Sequence, residues 1–420
     1  MIDRYKNKLF QLLRRTEKYT KTDMVYLAHG GFWLFLKTFV GAAIAFGLSV
    51  AFANLLSPTT YGEYKYIFSI FGLLAITTLT GMGPATTRSV AQGYEGTPSA
   101  ILKTKIQWGL IGSAASVGIA IYYVARGNLE LAGAFAIVAL FLPFVDSLTI
   151  YNSVLTGKKL FKISTLYEIV VQILSAGVIV TTLFLTNNLL IILVAYFVSY
   201  TLIRFFVFRF VVVRHATNTN TDPATTTYGK HLSAMGVLSA ISEAVDTILL
   251  WQFIGPAQIA VYAFAKGIPV QISAALQRIT TLAFPKFAQR DFKIIRSTIG
   301  HKMLIMLAVM IGIVGVYVFA TPYIFAIFFP TYTEAVIYSQ FFALSLLFFP
   351  QKFIGIAFQA HAHTKALYIA NTIAPVIRII IALALIPFFG IAGAIATELI
   401  GRMVNFIVLY TLLIRSKSNA

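Results

Sequence analysis

The sequence predicts an all-α integral membrane protein with about 12 transmembrane helices, and three observations carry that reading. First, 58% of its 420 residues are hydrophobic and only 11% charged, with a mean hydropathy of +0.82. A water-soluble chain of this size could not hide so much apolar side chain, so lipid must cover its outside. Second, apolar stretches of about 20 residues recur, each able to cross roughly 30 Å of hydrocarbon as a helix. Strand-like alternation is missing from them, and helices then remain as the way to pair backbone groups in lipid. Third, positive charge gathers in every second loop.

Taken in order, the chain opens with a basic segment, 1–30, carrying Arg4, Lys6, Lys8, Arg14, Arg15, Lys18 and Lys21. Within it KLFQLLRR (8–15) is amphipathic, suited to an anionic lipid surface or to an orientation signal. No small-residue cleavage site follows the first apolar run, so a cleaved signal peptide is not expected. Spans follow at 31–56, 64–84, 106–125, 131–155, 163–185 and 189–213, then at 231–254, 259–285, 303–328, 335–360, 366–387 and 391–413. Every second connection is basic: Arg88, Lys103 and Lys105; Lys158, Lys159 and Lys162; Arg214 and Lys230. The series continues with Lys286, Arg290, Lys293, Arg296 and Lys302, then Lys365, then a tail, 414–420, with Arg415 and Lys417. The other loops are short and hold Arg126 and almost no other cation. The positive-inside rule places both ends in the cytoplasm of a cell-membrane protein. The same distribution explains a formal charge of +19 without invoking nucleic acid.

The Thr- and Asn-rich stretch 214–230 reads as a linker between two six-helix lobes, 31–213 and 231–413. Pro58 and Tyr64 recur as Pro256 and Tyr262, and Pro143 and Lys159 as Pro350 and Lys365. Each lobe has an even number of spans, so the two are expected to be parallel repeats about an axis along the membrane normal. Such lobes would enclose a central cavity.

An ionised group at mid-membrane costs about 2.5–3.5 kcal/mol on insertion scales, so each asks for a partner or a wet cavity. Four polar stripes occur at helical spacing. They are Ser239, Ser242, Glu243 and Asp246; Asp146, Thr149, Ser153 and Thr156; Thr165, Glu168, Gln172 and Ser175; and Tyr368, Asn371, Pro375 and Arg378. They are expected to line an aqueous lumen, the alternative being hydrogen bonds between helices with no substrate. Among the submerged cations Lys37, Lys266, Arg278, Lys352, Arg378 and Arg402, three have an alternative to ligand binding. Lys37 could snorkel to the surface, Lys266 could neutralise Asp246, and Arg402 could pair with Glu398 at i, i+4. Arg378 has no carboxylate in its own stripe and is the cation most expected to meet an anion. Lys37, Lys266, Arg278 and Arg378 are thus candidate ligand-binding residues, and Asp146, Glu168, Glu243 and Asp246 candidate ion-coupling or cavity carboxylates. Pro269 and Pro375 supply candidate joints.

The chain has no cysteine, which excludes thiol chemistry, and no Walker, G-x-S-x-G or zinc-like spacing. His361 and His363 read as surface residues rather than metal ligands. A transporter without cofactor or metal is expected, driven by ion gradients, membrane potential or mass action. External loops too short to hold an acceptor argue against a membrane glycosyltransferase.

Several stretches, in this order, resemble the polysaccharide transporter (O-antigen flippase-like) family of the multidrug/oligosaccharidyl-lipid/polysaccharide superfamily. They are AFANLLSPTTYGEYKYIFSI (51–70), GMGPATTRSVAQ (81–92), LTGKKLFKISTLYEIV (155–170), VDTILLWQFIGPAQIAVYAFA (245–265), LAFPKFAQ (282–289) and LALIPFFGIAGAIATELI (383–400). The resemblance implies a flippase for polyprenyl-pyrophosphate-linked oligosaccharide, with two lobes around a cationic cavity. It also implies roles for Asp246 and for Arg88, which joins the candidate ligand-binding residues. Arg378 departs from the family pattern, which has Asn nearby. The expected partners are the lipid-linked substrate, membrane lipid, and glycosyltransferases and a polymerase of the same pathway, with the chain itself a monomer. A cation-coupled small-molecule or multidrug exporter on the same fold, kept open by Glu243, Asp246 and Asp146, and a peptidoglycan lipid-precursor flippase are the alternatives.

Overall fold

The computed structural model describes the backbone of residues 24–361 and 363–416 and the side chains of 31–277, 287, 289–361 and 363–416. The amphipathic stretch 8–15, Lys417 in the tail, and the side chains of Arg278 and of most of LAFPKFAQ lie outside what is described. Among the described residues every regular element is helical.

The helices are α1 (Met24–Leu55), α2 (Pro58–Leu74), α3 (Met82–Ala91), α4 (Thr97–Ala125), α5 (Leu129–Val145), α6 (Ile150–Gly157), α7 (Phe161–Leu185) and α8 (Leu189–His215). After them come α9 (Ala224–Phe253), α10 (Pro256–Gln289), α11 (Phe292–Phe328), α12 (Ala335–Ala343), α13 (Lys352–Ala360) and α14 (Thr364–Arg415). Their starts are written locally. The Ser57 hydroxyl accepts from the Thr60 amide with Pro58 in the first turn, Asn128 caps α5, Asn188 caps α8 through two amides, and Asp291 caps α11. Each satisfies amides that the first turn leaves unpaired.

Among the described residues ten helices are long and apolar enough to cross a membrane, or eleven if the bent pair α2–α3 counts as one span. That pair turns by 44°, where Leu79 takes a left-handed conformation at φ 60. The 52 residues of α14 would measure about 78 Å unbroken, more than twice the hydrocarbon thickness, and they are broken at Gly390 (φ 54, ψ −127). Two segments of spanning length therefore come from α14, which brings the total among the described residues to as many as 12, in keeping with the expected fold class. With 12 spans Met24 and Ser416 would lie on one side, called here the termini face.

Side chains pointing outward include Phe184, Val316, Phe319 and Phe388, all more than 70% exposed. That is the surface of a protein solvated by lipid. Within the first half α5 packs on α4 and α8, and α7 on α1 and α8. Within the second half α9 packs on α14 and α10 on α12. Contact between the halves runs through α2, which lies on both α9 and α10, and through α3 on α9. The Tyr66 ring stacks on Trp251 at 4.2 Å and Tyr61 on Phe264 at 4.6 Å. A Cβ at Gly62 would fall 1.8 Å from the Pro256 carbonyl oxygen. Only glycine admits that approach.

Two sequence expectations change here. Lys105 is not a loop cation but lies inside α4, 2% exposed, because the helix begins nine residues before the apolar run that announced it. The chain between α8 and α9 leaves helix only over 216–223, and it is strapped to the first half. Glu95 Oε2 accepts the Thr217 amide at 2.5 Å and hydroxyl at 2.7 Å, while Lys158 reaches Oε1 at 2.5 Å.

Candidate functional site

A cavity of about 930 Å³ opens among α9, α10, α13 and both parts of α14. Lys266, Lys352, Arg378 and Arg402 line it, against two carboxylates, Glu243 and Glu398. Helical periodicity puts them there: Glu398, Arg402 and Asn405 recur at three- to four-residue spacing, as do Asn371, Ala374, Pro375 and Arg378. Arg378 stands fourteen residues from Thr364 and twelve from Gly390, about 18–21 Å from either end of its segment at ~1.5 Å per residue. Its charge is near the middle of that segment.

Arg378 is the hub of an interhelical network. One guanidinium nitrogen donates to Asp246 at 2.5 Å and to Glu398 at 3.2 Å. The other donates to the Ser242 carbonyl and, at 3.1 Å, to its hydroxyl. Asp246 is fully buried and also accepts from Tyr262 at 2.8 Å, with Lys266 at 3.9 Å. Glu398 in turn accepts from Arg402 at 2.7 Å, the i, i+4 pair anticipated from the sequence. Arg378 has no carboxylate in its own stripe, but the fold brings it two from elsewhere. Its partners come from α9 and from beyond the Gly390 break, where spacing along its own helix does not reach. Glu243 lines the cavity with no ion-pair partner among the described residues.

The remaining candidates sit elsewhere. Asp146 accepts from Lys105 at 2.9 Å and from Thr78 at 2.6 Å, in the first half. Glu168 accepts from Tyr151 and Asn152, with Lys37 at 3.7 Å. Arg88 lies on α3 over the Tyr228 ring, at the junction of the halves. None of these four lines the cavity. Thus the stripes of α9 and α14 face the cavity, whereas those in the first half are largely spent on helix packing. Ser175 is fully buried, and Thr165, 1% exposed, donates to the Trp33 carbonyl. Tyr368 points outward. Arg204 was not a candidate, yet it stacks over Tyr200 at 4.8 Å and donates to the Val145 carbonyl. Gln351 and Gln359 were also missed, although their spacing through Gly355 was legible.

The charged cavity is lined by residues of the second half alone rather than lying between two lobes, within an all-helical fold that has many helices of membrane-spanning length. The chain belongs to the polysaccharide biosynthesis protein family, whose model matches residues 27–291. No curated protein sequence matches it. Its fold is similar to that of the lipid II flippase MurJ in an inward closed conformation, with a TM-score of 0.64 at 16% identity, over 90% of this chain and 87% of that one. It is similar as well to the MATE multidrug transporter DinF-BH, with a TM-score of 0.64 at 14% identity, over 94% and 96%. A third likeness is to a MOP superfamily transporter from Pyrococcus furiosus with a binding pocket of reverse polarity, at a TM-score of 0.57 and 15% identity, over 92% and 96%.

Proposed function

We propose that this protein is a flippase that carries polyprenyl-pyrophosphate-linked oligosaccharide from the cytoplasmic to the outer leaflet of the cell membrane for surface polysaccharide synthesis. The single observation that carries the reading is the set of four cations in one submerged cavity of about 930 Å³. Membership of a polysaccharide biosynthesis family points to the carbohydrate. Lys and Arg offer charge-assisted hydrogen bonds to phosphate, and the cavity wall carries polar side chains that suit a polar head.

In this reading the termini face is cytoplasmic, as the basic loops imply. The head enters from that face, its diphosphate meets Lys266, Arg378 and Arg402, and the polyprenyl tail stays in lipid through a lateral gap. The two lobes, 31–213 and 231–413, then rock against each other about the α2–α9–α10 contact. Outward movement of each negative charge is favoured by about 2.3 kcal/mol per 100 mV of inside-negative potential. An incoming diphosphate competes with Asp246 and Glu398 for the Arg378 guanidinium, so loading would loosen the network that ties α9 to α14.

Head-group translocation in proteoliposomes tests this. Lys266→Ala and Arg402→Ala each remove one charge-assisted contact, worth about 1.5–3 kcal/mol, and should slow transport at least about tenfold. Unchanged transport in both, and in Arg378→Ala, would overturn the assignment. The alternative, a cation-coupled exporter of small molecules, is favoured by one observation: Glu243 in the cavity has no ion-pair partner among the described residues. It requires Glu243→Gln to abolish drug efflux while surface glycan is untouched.

A further inference from the structure

Beside its charged layer the cavity has a second wall, made of carboxamides. Gln351, Gln359, Asn371 and Asn405 line it, together with Gln277, which accepts from Lys352 at 2.9 Å. Asn371 lies seven residues before Arg378 and Asn405 seven after Glu398. Asn371 therefore sits about 10 Å nearer the termini face than Arg378, and Asn405 about 10 Å nearer than Glu398. Gln351, Gly355 and Gln359 recur at four-residue spacing and share one face, and a Cβ at Gly355 would meet nothing within 4 Å. Gln351 is 5% exposed, yet its side-chain oxygen has no hydrogen-bond partner among the described residues. A buried carboxamide left in that state is unfavourable until something else completes it.

A carboxamide offers two donors and two lone pairs in one plane and no charge. That set serves hydroxyl and acetamido groups, whereas phosphate selects cations. We infer that this carboxamide wall is a sugar subsite, which reads the carbohydrate of the head group while Lys266 and Arg378, deeper in the cavity, hold its phosphates. The inference rests on the flippase reading above and adds a direction to it: diphosphate near mid-membrane, sugar toward the termini face. Recognition would then require a glycosylated lipid rather than any anionic one.

The test compares two probes on full-length protein in nanodiscs, with binding read by native mass spectrometry. One is the polyprenyl-diphosphate-oligosaccharide pool extracted from the source membranes, and the other is free polyprenyl diphosphate. The Asn371→Leu/Asn405→Leu double variant should lose about tenfold in affinity for the glycosylated pool and stay within about twofold for the free lipid. Arg402→Ala should weaken both. Should the double variant fail to fold, Gln351→Met is measured the same way with the same selective loss expected. Equal loss for both lipids, or none for the glycosylated pool, overturns the sugar subsite and leaves the flippase reading standing. Failure of the unmodified protein to bind either lipid overturns the flippase reading, and the subsite with it.

Discussion

Asp246 and Arg378 offer the sharpest test of how the second half is held together. Asp246 is fully buried, its Oδ1 has no hydrogen-bond partner among the described residues, and its Oδ2 depends on Arg378 at 2.5 Å and Tyr262 at 2.8 Å. Arg378→Ala strands that charge, with only Lys266 at 3.9 Å to compensate. Breaking a buried pair from one side costs about 3–5 kcal/mol, because the survivor stays desolvated and unpaired. Asp246→Ala should cost a similar amount, with Glu398 moderating the loss at Arg378 from 3.2 Å. The double variant Asp246→Asn/Arg378→Gln removes both charges and keeps both side chains polar. Replacing a buried pair by neutral groups is often close to neutral, so it should recover most of the stability, and a cycle built on it with its two singles should show a coupling close to the summed losses of those singles. Reversible unfolding in mixed micelles, titrated with dodecyl sulfate, measures all four proteins. If the double variant loses the sum of the two singles, the charges act independently, and the network described here does not hold α9 to α14.

Two further perturbations probe other parts of the molecule. Gly62→Ala places a methyl 1.8 Å from the Pro256 oxygen and should cost about 1–3 kcal/mol by overpacking. Gly72→Ala, with nothing within 4 Å of its Cβ, should be neutral or stabilising by about 0.5–1 kcal/mol, and equal thermal-unfolding shifts for the two would refute the close contact. At Glu95 burial opposes ionisation, but the Lys158 ammonium and the two Thr217 donors outweigh it and hold the carboxyl down at about 2 against an ordinary 4.5. A folded pKa that is depressed contributes fully above the unfolded value and is lost as pH falls through the folded one. Exchange protection of the Thr217 amide should therefore hold steady down to about pH 4.5 and decline toward pH 2; an unchanged pH profile in Glu95→Gln would remove Glu95 as the anchor of the 216–223 strap.

Crossing number, family and the polar faces of α9 and α14 were legible in the sequence because each is written along a single helix. Bilayer thickness dictates the length of an apolar run, and the 3.6-residue turn dictates which side chains share a face. The Glu398–Arg402 pair was readable for the same reason. Partners across helices were not. Nothing in the spacing around Arg378 announces that Asp246, 132 residues earlier, will neutralise it, or that Lys105 will be buried against Asp146. In lipid an unpaired charge is expensive enough to recruit whatever opposite charge packing brings near, so tertiary contact alone decided which cations face the cavity. The stripes of the first half show the same limit from the other direction: polar spacing records that a face avoids lipid, and only the neighbouring helix determines whether water or another hydroxyl receives it.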